Sequence, residues 1–148
     1  APFGGIITTL ALISGSLWGK PMWGTWWVWD ARLTSELILL FLYCGYISLR
    51  SAIRDQHIAS KVSAILAVAG VIDIPIIHFS VEWWNTLHQG ASLSRFAKPA
   101  IDPAMLYPLL SMILASYLFY VLLVCINARA EILWRERKSA WVRKLVIG

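Results

Sequence analysis

The sequence is poor in charge and in cysteine. Of its 148 residues, 14% are charged and 59% are hydrophobic, and the mean hydropathy is +0.67. Its two cysteines form no CxxC, no CxxCH and no zinc-ligand spacing, which argues against a thiol-based metal centre. Cys44 and Cys125 are therefore predicted to be small buried apolar residues. The high hydrophobic content and the low charged content are wrong for a soluble domain and indicate a membrane protein.

Four apolar segments approach the length of about 20 residues that a helix needs to cross a hydrocarbon core about 30 Å thick. The apolar positions lack the alternation of a β-barrel, so the predicted fold is all-α, a polytopic helical membrane bundle. We expect one membrane domain over residues 1–148. Its predicted spans are 2–17, 33–49, 62–81 and 104–126, its connectors are 18–32, 50–61 and 82–103, and its tail is 127–148.

The distribution of positive charge favours one orientation. The connector 50–61 and the tail carry nine basic residues, namely Arg50, Arg54, Lys61, Arg129, Arg135, Arg137, Lys138, Arg143 and Lys144. The other two connectors carry four, namely Lys20, Arg32, Arg95 and Lys98. The positive-inside rule then places the tail inside and these two connectors outside. The net charge of +5 reflects this topology and attraction to the lipid bilayer, and it is poor evidence for nucleic acid.

Tryptophan is the residue in excess. Seven of the nine lie in the two outer connectors, namely Trp18, Trp23, Trp26, Trp27, Trp29, Trp83 and Trp84. An aromatic belt at the lipid headgroups accounts for Trp18 but does not predict so uneven a count. Gly19, Pro21 and Gly24 predict a bent loop that gathers the indoles into a platform for a flat amphipathic ligand. Belt and platform both remain open on composition alone.

Two of the three histidines lie near this predicted platform. His57 is predicted to be solvated surface on the inner connector. His78 follows Pro75 near the end of the third span and is interpreted as a buried histidine bonded to a freed backbone carbonyl. His88 lies in WWNTLHQG, in an aromatic outer connector, where an imidazole is a reasonable ligand for a metal or a haem iron.

Three acidic residues lie in or beside the predicted spans. Asp30 closes the tryptophan run and is expected to cap the second helix. Glu36 lies about one turn into that span and is expected to face protein, water or Arg32, because a charge in lipid is costly. Asp73 is expected to point into the bundle. Spacing alone gives Glu36 and Asp73 no partner.

The runs WGTWWVWDARLTSE and PIIHFSVEWWNTLHQG, with the DPA that follows, resemble the haem exporter protein C family, CcmC, of the system I cytochrome c maturation machinery. The resemblance covers essentially the whole chain. It implies six spans, two of them ahead of Ala1, and a second axial histidine in that earlier region, so we expect an N-terminally truncated member. It also implies that His88 ligates iron. A haem-facing platform is implied for Trp23, Trp26, Trp27, Trp29 and Asp30, and contact with haem is expected for Trp83 and Trp84.

The resemblance further implies a cofactor, partners and a location. The cofactor is non-covalent, transferable haem b, delivered at the outer face to the haem chaperone CcmE. The other partners are the ATP-binding cassette subunits CcmA and CcmB and the small membrane protein CcmD. The chain has no GxxxxGK[ST] and is not the ATPase subunit. The expected location is a bacterial inner membrane, with a mitochondrial inner membrane as the alternative.

Two other functions compete with haem delivery. In a transporter of haem or of another amphiphile, Glu36, Asp73 and Pro75 would line a cavity between helices. An electron-transfer cytochrome would need paired histidines within the spans. The hydroxyl residues have no histidine and acid at a spacing that would suggest a nucleophilic enzyme. If haem is the ligand, the residues expected to pair with its propionates are Lys20, Arg32, Arg95 and Lys98.

Overall fold

The computed structural model describes residues 1–90, 101–139 and 141–142. Regular structure in these ranges is α-helical throughout: α1 spans Pro2–Trp23, α2 Ala31–Ala52, α3 Gln56–Trp83 and α4 Pro103–Arg135. Each helix is long and apolar enough to cross a membrane. The predicted all-α class with four potential membrane spans is confirmed. Four basic residues used to predict orientation, Arg95, Lys98, Arg143 and Lys144, lie outside the described residues.

Aspartate side chains mark the start of three helices. Asp30, Asp55 and Asp102 each accept a hydrogen bond from a backbone N–H in the first turn of α2, α3 and α4, with shortest N···O distances of 2.9, 2.8 and 2.8 Å. Such a carboxylate satisfies an otherwise free N–H and faces the positive end of the helix dipole. The predicted capping role of Asp30 is confirmed.

The first helix is longer than its apolar run. α1 continues to Trp23, so the predicted bent loop at Gly19 and Pro21 is wrong. Pro21 falls in the last turn, where its missing N–H removes a single helical hydrogen bond. The helix stops at Gly24, whose φ of 77° is a left-handed conformation that glycine adopts without strain. The tryptophan-rich loop is thereby shortened to residues 24–30.

The other three helices also exceed their predicted spans. α3 begins at Gln56 and α4 ends at Arg135, well beyond the apolar segments 62–81 and 104–126. An apolar run marks the part of a helix suited to hydrocarbon, whereas capping groups and polar residues decide where the helix ends. With a rise of about 1.5 Å per residue, the 33 residues of α4 extend about 50 Å, more than a bilayer core needs.

The chain divides into two compact units, Ala1–Ala91 and Ser92–Gly148. In the first unit α2 packs extensively on α3 and less extensively on α1. Glycines allow close approach between α2 and α3: a Cβ on Gly45 would lie 3.3 Å from Leu66 Cδ1, and one on Gly70 would lie 3.7 Å from Leu39 Cδ1. The contacting residue moves from 45 back to 39 along α2 as it moves from 66 to 70 along α3, so the two helices run antiparallel.

The three helices of the first unit come together at one end. The end of α1, the start of α2 and the end of α3 meet there, together with the segment 84–90 that follows α3. We call this region the tryptophan end, because it carries seven of the nine tryptophans. Residues distant in sequence therefore come together there.

Burial in the first unit is inverted relative to a soluble protein. The buried polar residues are Thr8, Ser35, Ser63, Asp73 and Ser80, whereas large apolar side chains such as Ile65 and Phe41 are 70% and 65% exposed. Small polar residues at helix contacts and apolar residues outside are typical of helices that face lipid. The predicted inward orientation of Asp73 is confirmed.

The predicted burial of the two cysteines is wrong. Cys44 and Cys125 are both exposed on their helices. An apolar run cannot show which face of a helix meets another helix and which meets lipid, so burial of a small apolar residue is not readable from the run alone.

Replacing Asp55 tests the contribution of the caps. Asp55→Ala removes the acceptor of the His57 and Ile58 N–H groups, at 2.8 and 3.2 Å. We expect a loss of about 1 kcal/mol in the free energy of unfolding, whereas Asp55→Asn stays near wild type because asparagine caps equally well. Circular dichroism during denaturant unfolding in mixed micelles measures both. Equal destabilisation by the two changes would show that the negative charge of Asp55, and not its capping hydrogen bonds, stabilises the start of α3.

Candidate functional site

A cavity of about 410 Å³ opens at the tryptophan end. Its walls come from the end of α1, the first turn of α2, the last turns of α3 and the segment after α3. This volume lies within the range of about 300–1,000 Å³ that is usual for ligand pockets. The lining includes Trp18, Trp23, Arg32, His78, Glu82 and His88.

The strongest polar contact at the cavity joins His88 to Asp30. His88 Nδ1 lies 2.7 Å from Asp30 Oδ2, and the two side chains are only 19% and 5% exposed. An ionised carboxylate can only accept hydrogen bonds, so Nδ1 carries the proton and donates it. In the neutral imidazole the lone pair is then on Nε2, the nitrogen left for a metal. The contact thus selects the tautomer of His88.

Both oxygens of Asp30 are used. Oδ1 accepts from Leu33 N–H at 2.9 Å and caps α2, while Oδ2 accepts from His88. One carboxylate therefore connects the start of α2 to a residue 58 positions later in the chain. The position of His88 depends on the same side chain that begins α2.

An indole packs against the histidine from the side of α1. The ring of Trp23 meets His88 edge to face at 4.7 Å between centroids, and Trp18 meets Trp23 at 5.3 Å. Gly19, between these two tryptophans, is buried, and a Cβ there would lie 3.1 Å from Trp23 Cε3. The bare backbone of Gly19 leaves room for the indole of Trp23 to fold back along α1.

The loop tryptophans divide into separate contacts. Trp27 and Trp29 pack together at 5.5 Å, and Trp27 lines an apolar groove between α1 and α2, where its Nε1 is buried with no partner among the described residues. Trp26 lies under the ammonium of Lys20 at 5.7 Å. Of the predicted platform, Trp23 alone among the tryptophans joins Asp30 at His88. Trp26, Trp27 and Trp29 do not line this cavity.

A second row of aromatic rings follows the end of α3. Phe79 meets His78 at 4.8 Å and stacks on Trp83 at 5.4 Å, and Trp83 meets Trp84 at 5.8 Å. Trp83 and Trp84 are 58% and 51% exposed and do not line the cavity, although their neighbour Glu82 does. The row therefore leaves two indoles accessible beside the site.

Of the four basic residues predicted to meet an anionic ligand, the structure places Arg32 at the cavity. Lys20 instead donates to the Gly24 carbonyl at 3.1 Å and covers Trp26. Glu36, one turn beyond Arg32 on α2, is half-buried and does not line this cavity. Arg95 and Lys98 lie outside the described residues.

Trp18 and Glu82 line the cavity although the sequence did not predict a site role for either. An aromatic belt accounts for Trp18 in the sequence, whereas α1, which continues to Trp23, places it at the cavity. Glu82 was not considered, although its spacing of four from His78 places both on one face of α3. Glu82 also directly precedes the WWNTLHQG motif, so its position beside the motif and its spacing from His78 are the signals in the sequence that point to it.

The described residues contain no group of three or more His, Cys, Asp or Glu side chains that could hold a metal ion. One imidazole beside indole surfaces suits a metal that brings most of its own donors. Haem iron is such a metal, since the porphyrin supplies four nitrogens and histidine commonly supplies an axial one. The residues present therefore fit haem better than a bare ion.

Comparison with known proteins identifies relatives along most of the chain. The sequence profile of the family described as "Heme exporter protein C" matches residues 1–143. Proteins named "Heme exporter protein C" from Haemophilus influenzae and Escherichia coli K12 are 52% and 51% identical over 98% and 99% of this chain, and each match covers 59% of the relative. The chain thus spans about three fifths of their length.

A third relative comes from a eukaryote. The Marchantia polymorpha protein is 50% identical over 119 residues, which cover 80% of this chain and 49% of the relative. Its name describes it as a ccmC-like mitochondrial protein of cytochrome c biosynthesis.

Substituting Gly19 tests how Trp23 is positioned. Alanine normally stabilises a helix interior relative to glycine by about 1 kcal/mol. We expect Gly15→Ala, where an added Cβ meets nothing within 4 Å, to raise the thermal midpoint of unfolding. Gly19→Ala should lose that gain because its Cβ presses on the Trp23 ring. Thermal melts of the two variants measure the difference, and an equal rise in both would contradict a packing role for Gly19.

Proposed function

The chain belongs to the heme exporter protein C family, and from this we propose that it binds haem at the tryptophan end and delivers it for c-type cytochrome biogenesis. The single observation that carries the proposal is the Asp30–His88 pair, which leaves Nε2 of a cavity-lining imidazole free of the carboxylate. The names of the relatives support haem as the ligand and cytochrome c biosynthesis as the process.

The cavity surfaces match the two parts of a haem. Trp18 and Trp23, whose rings pack edge to face, offer apolar surface that would cover part of the porphyrin, and His88 would hold the iron. Bound haem would contribute the iron and its in-plane donors. The chain itself contributes apolar contact and one oriented imidazole.

The remaining tryptophans extend the proposed haem contact outside the cavity. Trp26, Trp29, Trp83 and Trp84 are each at least half exposed at the tryptophan end. We assign these rings, with Trp27, to the part of a porphyrin that the cavity leaves uncovered. A large exposed apolar patch is typical of a binding surface and suits a ligand that is handed on.

Transfer requires a haem that is not attached covalently. The chain has no CxxCH, so it lacks the thiol pair that would fix haem b through its vinyl groups. We propose that the haem chaperone CcmE takes this haem, and that CcmA, CcmB and CcmD are the other subunits. In this proposal the chain is a haem-handling subunit and not an enzyme.

The proposed location follows from the charge pattern. The connector 50–61 and the tail are rich in basic residues, which favours the cytoplasmic side for them and the periplasmic side of a bacterial inner membrane for the tryptophan end. A mitochondrial inner membrane is the alternative, since a mitochondrial relative is similar over most of the chain.

Outer-face delivery is better supported than transport across the bilayer. A transport path would use Glu36 and Asp73, and neither lines the cavity that contains His88. Asp73 is 7% exposed, with Oδ2 buried and without a partner among the described residues. The ligand chemistry is instead concentrated at one end of the helices.

Replacing His88 tests the proposed function. In the purified full-length protein, His88→Ala should reduce the haem retained and its Soret absorbance by about tenfold or more, because the axial bond is lost. His57→Ala is the matched control, since His57 is exposed in the first turn of α3 at the opposite end. A band that survives His88→Ala but disappears in His78→Ala would assign the ligand to the other cavity histidine.

Replacing Arg32 tests whether it pairs with the propionates. Arg32→Gln should weaken the binding of metal-free protoporphyrin IX by about tenfold, as expected for a lost charge-assisted bond of about 1.5 kcal/mol. Binding of the dimethyl ester, which has no carboxylates, should not change. Lys20→Gln is the control, because Lys20 is engaged with Gly24 and Trp26. Tryptophan fluorescence quenching measures the affinities of the wild type and of both variants for the acid and for the ester. Equal losses of affinity for the acid and the ester in Arg32→Gln would refute the pairing.

A further inference from the structure

We propose that Asp30 makes the site selective for ferric over ferrous haem, acting as a positioning residue through His88. This inference rests on the proposed function, in which His88 is an iron ligand. It adds a preference for one oxidation state and assigns that preference to a side chain that does not touch the iron.

The geometry of the pair gives the physical reason. His88 Nδ1 donates to Asp30 Oδ2 at 2.7 Å, and the carboxylate is 5% exposed. A short bond to a buried carboxylate is strong, because water does not compete for it. It shifts electron density onto the imidazole and makes Nε2 a more basic ligand. A more basic ligand stabilises the iron with the higher positive charge, which is the ferric one.

The charges around the cavity act in the same direction. Glu82 lines the cavity and Asp30 contacts His88, so two carboxyl groups accompany a single guanidinium, Arg32, among the described residues of the site. A surplus of negative charge near the iron favours its ferric state.

The role requires an aspartate specifically. Asp30 accepts from Leu33 N–H with one oxygen and from His88 with the other. Asparagine has one oxygen, so it can cap α2 or accept from His88, but not both. If its oxygen caps α2, its amide N–H₂ faces Nδ1, which removes both the charge and the acceptor.

The first experiment compares ferric and ferrous haem affinities in the full-length protein. Haemin is titrated under oxidising conditions and again with dithionite, and the ratio of the two dissociation constants is the measured quantity. We expect Asp30→Asn to move this ratio toward ferrous haem by about tenfold, which equals a rise of about 59 mV in a one-electron midpoint potential. Asp30→Glu, which keeps the anion, should restore most of the ferric preference.

The matched control is Asp55→Asn. Asp55 caps α3 as Asp30 caps α2, and it lies at the opposite end of α3 from the cavity. This change should leave the ratio at the wild-type value. A ratio that Asp30→Asn leaves unchanged, even with weaker binding of both haem states, would overturn the proposal and reduce Asp30 to a structural cap.

A second experiment keeps Asp30 and tests the hydrogen bond directly. In His88→Gly, free imidazole is supplied as the axial ligand and then replaced by 1-methylimidazole, which has no N–H to donate. We expect the imidazole complex to prefer ferric haem by about tenfold more than the 1-methylimidazole complex. Equal ratios would overturn the proposal even if Asp30→Asn does not fold.

Failure of the inference and failure of the proposed function are distinguishable. A wild-type protein that binds neither ferric nor ferrous haem refutes the proposed function. A wild-type protein that binds both states, loses both in His88→Ala and shows no dependence on Asp30 refutes only the selectivity.

Discussion

The site depends on one carboxylate with two hydrogen bonds. Asp30 begins α2 by accepting a hydrogen bond from Leu33 N–H. The same side chain orients His88, which lies in the segment after α3. Because the carboxylate is almost fully buried, neither bond is readily replaced by water. The start of a helix and the tautomer of a histidine are therefore not independent features. A change that moves the first turn of α2 also moves the imidazole.

The polar and ligating side chains of the first unit meet at one end of its helices. Where α2 and α3 approach each other, Gly45 and Gly70 face Leu66 and Leu39, while many large apolar side chains of the two helices are exposed. Grooves of about 290, 360 and 340 Å³ also lie along the helices of this unit, but no histidine among the described residues lines any of them. At the tryptophan end the helices stop, and the segment after α3 and the last turn of α1 form walls that no single helix provides. The cavity is a consequence of where the helices end.

The class of fold was predictable from sequence, whereas the ends of helices and the partners of side chains were not. Apolar runs located all four helices, and the acid that follows the tryptophans was correctly predicted to be a cap. The end of α1 was misplaced because Pro21 and Gly19 are turn residues by composition, yet the stop is made by Gly24 in a left-handed conformation. Sequence spacing likewise gave no signal that Asp30 meets His88, since 58 residues separate them. Motifs that are apart in sequence reveal their contacts only when the helices are packed.

The structure separates the tryptophans by what surrounds them, which spacing could not do. Trp23 packs against both Trp18 and His88, and Gly19 leaves the space for its indole. Trp29, Trp83 and Trp84 are largely exposed at the same end. A ring fixed by packing can orient a ligand, whereas an exposed ring can contact a ligand that a second protein also contacts. The proposed function needs both kinds of ring, because the site would have to hold haem and still leave it accessible to a second protein.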